Sequence, residues 1–71
     1  MPTPIHANMA GTVIEVLVKA GDTVTEGMDV VCIESMKMQM FIPSDHDGKV
    51  GEVKVAAGDF VNEGDTLVEL E

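Results

Sequence analysis

Gly21-Asp22-Thr23-Val24-Thr25-Glu26-Gly27 returns 37 residues later as Gly58-Asp59-Phe60-Val61-Asn62-Glu63-Gly64. The likeness spreads outward from this stretch. Gly11 matches Gly48 at the same offset, and residues 5–34 laid on 42–71 agree at 14 of 30 positions, several times what chance gives. Two copies are too few for a solenoid, which needs at least three stacked units. The chain therefore reads as one domain, residues 1–71, built from two halves related by a pseudo-two-fold.

Each half reads alike. Gly11 to Val18 and Gly48 to Val55 are turn-then-strand segments, in which Glu52 and Lys54 alternate with Val53 and Val55 as on a sheet wet on one side. Val13 and Val50 fall on the wrong phase, so a bulge near Ile14 and Gly51 is expected. Ala20-Gly21-Asp22 and Ala57-Gly58-Asp59 are turns, where Gly permits positive φ and Asp bonds the local backbone. Glu26-Gly27 and Glu63-Gly64 are further turns, followed by strands over Asp29–Ile33 and Thr66–Leu70. Val, Ile and Thr make up 20 of 71 residues, and no helical period is sustained. The fold expected is all-β.

Composition narrows the function. Four Lys, no Arg and 13 acids leave a net charge of −9, and Phe41 and Phe60 are the only aromatics. Nucleic acid and acidic membrane surfaces both call for basic clusters, so neither is an expected partner. The longest apolar run, Val30-Val31-Cys32-Ile33, is far short of a membrane span, and no charged segment leads into an apolar stretch at the N-terminus. With one cysteine and no leader pattern, a cytoplasmic location is expected. The charge favours solubility and would steer the chain toward a basic rim on a partner; a monomer is the expected state.

Between the copies lies Ser35-Met36-Lys37-Met38-Gln39-Met40-Phe41. In the repeat frame it corresponds to the junction of the two chain ends, which places Lys37 at an exposed hairpin tip far from the termini. Glu34-Ser35-Met36-Lys37-Met38 resembles the attachment motif of biotinyl domains, whose target lysine is flanked by methionine. The paired Gly-Asp-x-Val-x-x-Gly turns resemble those of the wider biotinyl/lipoyl family, and Ala7-Asn8-Met9-Ala10-Gly11 its first turn. Asn8 stands where proline is common, and Gln39 where an acid often follows the motif. The likeness runs over about residues 5–71, with no insertion resembling the "thumb" of some carriers.

The resemblance implies a flattened barrel of two four-stranded antiparallel sheets with Lys37 on a protruding turn. It implies that biotin protein ligase acylates Lys37 through a biotinyl-adenylate, with Glu34, Ser35, Met36 and Met38 as the neighbouring cofactor-binding residues. The biotin would carry carboxylate from a biotin carboxylase to a carboxyltransferase, and the chain itself would catalyse neither step. Acylation removes one positive charge and takes the net charge to −10. Two other readings stand beside it. One is a lipoyl carrier with lipoate on Lys37, although lipoyl domains place Asp before the lysine and a small residue after it. The other is an unmodified all-β interaction module, for which Lys37→Arg would be silent.

The remaining chemistry-bearing residues read as structural. Cys32, between Val31 and Ile33, is expected to be a buried inert thiol. His6 and His46 sit at non-equivalent repeat positions without a third ligand, and no metal site is expected. Asp45-His46-Asp47-Gly48 opens like a calcium loop, but Ala56 stands where the bidentate Glu belongs. No catalytic residue is assigned. Met40, Phe41 and Ile42 include core positions.

Overall fold

The computed structural model describes residues 3–71; Met1 and Pro2, the first two of the expected 1–71 domain, lie outside them. Eight strands follow in order: β1 (Thr3–His6), β2 (Gly11–Val16), β3 (Thr23–Val24), β4 (Asp29–Ser35), β5 (Met38–Pro43), β6 (Gly48–Val53), β7 (Phe60–Val61) and β8 (Thr66–Leu70). No described residue is helical. The strands form two antiparallel four-stranded sheets, β1-β8-β6-β3 and β5-β4-β2-β7. The all-β fold of two such sheets is the one the repeat predicts.

The offset of 37 maps β1, β8, β6 and β3 onto β5, β4, β2 and β7, one whole sheet onto the other. The register follows it: Thr3 pairs with Leu70 as Met40 pairs with Ile33. The chain ends thus occupy the place equivalent to the β4–β5 hairpin tip. Each sheet draws strands from both halves, because β2 pairs with β7 and β3 with β6.

The phase breaks at Val13 and Val50 resolve as bulges. Register slips between Val13 and Glu15 on β2, and between Val50 and Glu52 on β6. Ile14 and Gly51 are the extra residues. Their insertion lets Val13 and Val16, and Val50 and Val53, face the same interior. β2 and β6 stop at Val16 and Val53, two residues before the pattern suggested, because the chain already turns toward the Asp22 and Asp59 loops. The Leu17 and Lys54 N–H groups still donate to Val30 and Leu67 oxygens, at 2.9 and 2.8 Å.

Those loops lock one half to the other. Asp22 Oδ2 accepts from the Lys19 N–H at 3.0 Å, and Asp59 Oδ2 from the Ala56 N–H at 2.9 Å. Gly21 then donates to the Val50 oxygen and Gly58 to the Val13 oxygen, at 2.8 and 2.7 Å. Gly21 and Gly58 have φ of 95° and 97°, a conformation that a side chain would strain. The core between the sheets centres on Ile5, Val13, Val31, Ile33, Ile42, Val50, Val68 and Leu70. Met40 packs against it beside Ile42, whereas Phe41 points outward and is 54% exposed.

Candidate functional site

The β4–β5 hairpin closes with two residues. Ser35 pairs with Met38, leaving Met36 and Lys37 as the loop. Their φ angles are 54° and 64°, and they are the only non-glycine positive values among the described residues. Positive φ at both corners marks the type I′ turn, whose twist suits two antiparallel strands and which prefers Asn-Gly. Methionine and lysine in the left-handed region each cost roughly 1 kcal/mol or more. Interstrand pairing holds the strained turn in place.

The geometry presents the loop outward. Met36 is 93% exposed, Lys37 is exposed, and Met38 is 63% exposed. By strand alternation Met38 shares a face with Met40 and Ile42, but it lies past the end of the core. Glu34 pairs with Gln39 and with Thr12 of β2, its side chain exposed, and Ser35 is half-buried. Among the described residues Lys37 joins no ion pair. Its amine is open to any partner that meets the tip.

Gly11 supports the base of the hairpin, a role not evident in the sequence. A Cβ there would lie 2.6 Å from the Glu34 carbonyl oxygen, so β2 can approach β4 this closely only with glycine. The match of Gly11 with Gly48 was the available signal. A Cβ at Gly48 would meet only the movable Leu70 side chain at 3.3 Å.

The other candidates fall apart as sites. His46 lies 3.6 Å from Asp45 with both side chains largely exposed. Asp47 accepts from the Glu26 N–H at 2.6 Å, and the Ser44 hydroxyl bonds the His46 backbone, so this loop is tied internally. No three potential ligand side chains come together among the described residues. Cys32 is buried and free. These residues also enclose no pocket.

A rigid all-β body that offers a single lysine on a strained, protruding turn has the form of an attachment domain. The Biotin_lipoyl family, described as "Biotin-requiring enzyme", matches residues 1–70. The chain belongs to this biotinyl/lipoyl family. It is 52% identical over 66 residues to the "Biotin/lipoyl attachment protein" of Bacillus subtilis, covering 93% of this chain and 90% of that one. It is 51% identical over 67 residues to the "Propionyl-CoA carboxylase alpha chain, mitochondrial" of Sus scrofa, covering 94% of this chain but 9% of that protein. The chain therefore spans about a tenth of that carboxylase relative. Among solved structures, the lipoyl domain of the 2-oxoglutarate dehydrogenase complex from Azotobacter superposes with a TM-score of 0.69 at 32% identity, over 87% of this chain and 78% of that one. The fold is shared by biotinyl and lipoyl domains alike, so the choice between prosthetic groups falls to the residues at the tip.

Proposed function

We propose that the chain is a biotin carboxyl carrier with biotin joined to Lys37 by an amide bond. The observation that carries this reading is the tip itself: Lys37 at the second corner of an exposed two-residue turn, with Met36 before it and Met38 after it. A biotin protein ligase would supply the acyl group as its adenylate. The amine attacks the acyl carbon, AMP leaves, and the amine proton passes to a base on the ligase. A lysine amine is protonated at neutral pH, with an ordinary pKa of about 10.4. The chain contributes position: the turn fixes where the amine stands, and Met36 and Met38 offer flexible apolar contact beside it. Biotin, when bound, supplies the group that carries activated carboxylate. The partners are then a biotin carboxylase and a carboxyltransferase, in keeping with the carboxylase relative.

The test is the intact mass of the protein before and after incubation with biotin, ATP and a biotin protein ligase. The expected result is a gain of one biotinyl group, absent in Lys37→Arg. A ligase active on another carrier that leaves this chain unmodified overturns the reading. The same assay with lipoate and a lipoyl ligase separates the lipoyl carrier from an unmodified module.

A further inference from the structure

The two sheets are images of each other, so each outward position on one has a mate on the other that answers whether the fold demands its residue. The outer side of β1-β8-β6-β3 is polar. Lys54 lies 3.0 Å from Glu52 and 3.6 Å from Glu69, with Lys49, Thr23 and Pro4 around them. The mates on β5-β4-β2-β7 differ in one direction. Leu17 stands for Lys54, Phe60 for Thr23, Phe41 for Pro4, Ile14 for Gly51 and Cys32 for Glu69. Register puts these residues together: Cys32 pairs with Phe41 and Glu15, and Phe60 pairs with Thr12, itself opposite Glu34. Phe60 and Phe41 are 66% and 54% exposed, and Leu17 and Ile14 are also exposed. The mates prove these apolar side chains unnecessary to the fold, and an exposed apolar patch marks a contact surface.

We infer that the outer face of β5-β4-β2-β7, with Phe41, Phe60, Leu17 and Ile14 at its centre, is the surface by which the carrier docks on its biotin carboxylase. This rests on the biotin reading above. Charge selects the kind of occupant. Asp29, Glu15 and Glu34 fall on the outward side of these strands, and neither lysine of the polar face is repeated here, since Thr12 and Leu17 replace them. The face takes a protein with an apolar centre and a basic rim. A second copy of the chain would set these acids against one another. Position selects among protein partners. The face continues the hairpin, its Cys32–Phe41 pair lying about 10 Å from the last pair of the tip. A ligase need only grip the tip where Lys37 stands. The carboxylase must hold the body of the carrier while the arm works in its active site, and this face offers that hold.

The experiment exchanges apolar residues for their own mates. Leu17→Lys with Phe60→Thr imports residues that the equivalent positions already accept, and Lys49→Glu on the opposite face is the control. Wild type and both variants are biotinylated, then used as substrates by the biotin carboxylase of the same organism. The double variant is expected to melt within a few degrees of wild type and to accept biotin at the wild-type rate. Its KM for the carboxylase should rise about tenfold or more, with kcat unchanged and the control unaffected. An unchanged KM overturns the proposal. So does a slowed biotinylation with normal KM, which would make the face a ligase surface. A wild-type dimer that the double variant dissociates would make the occupant a second copy and also overturn it. Failure of the underlying biotin reading is visible separately, as a wild-type chain that takes no biotin.

Discussion

At the scale of the residue, the tip is the least comfortable part of the backbone. Met36 and Lys37 both hold positive φ, where Asn and Gly would sit at little cost. Met36→Asn should stabilise the protein by about 0.5–1 kcal/mol, a rise in Tm of about 2–8 °C in calorimetry. The same change should slow acylation by the ligase, because a flexible apolar contact beside the amine is lost. If stability and acylation both stayed as in wild type, the turn would be neither strained nor read. The sequence carried the motif and its position between the copies. It did not carry the turn type, since neither Met nor Lys prefers the left-handed region; the two-residue loop imposes it through the strands it joins.

At the scale of the element, the mates behave as paired experiments. Gly11→Ala drives a Cβ into the Glu34 carbonyl and should cost about 1–3 kcal/mol in urea unfolding. Gly48→Ala, which meets only the Leu70 side chain, should cost distinctly less. Equal costs would mean that β2 and β4 can separate freely. Lys54 ties β6 to β8. Its pKa is raised above the ordinary 10.5, first by the hydrogen bond from its ammonium to Glu52, then by the charges of Glu52 and Glu69. A raised lysine pKa stabilises the fold fully below the unfolded value and ceases to do so as pH climbs through the folded one. Stability should therefore decline above about pH 10.5, and Lys54→Met should flatten that decline in unfolding curves taken from pH 8 to 12. The bulges at Ile14 and Gly51 were legible as breaks in alternation at Val13 and Val50. The outward yet buried placement of Cys32 was not, because it depends on register with Glu15 and Phe41 across two neighbouring strands.

At the scale of the whole molecule, neither half is complete. The N–H of Gly21 needs the Val50 oxygen, that of Gly58 needs the Val13 oxygen, and both sheets alternate strands of the two halves. A chain cut after Lys37 should yield fragments that each give a disordered circular dichroism spectrum, and an equimolar mixture should recover the β signal. A fragment folded alone would contradict this interdependence. The topology was legible because such mutual dependence requires both copies of the Gly-Asp turn, and both are written plainly at Gly21-Asp22 and Gly58-Asp59. The contrast between the two outer faces stayed hidden until register assigned each side chain a side.

The pairing of Thr3 with Leu70, equivalent to that of Met40 with Ile33, makes the chain ends a hairpin that was never closed. Joining Glu71 to Thr3 through a copy of Ser35-Met36-Lys37-Met38 would turn the polypeptide into a ring with a lysine loop at each pole. In such a ring the order in which the halves were synthesised loses its meaning, and one body could carry two arms.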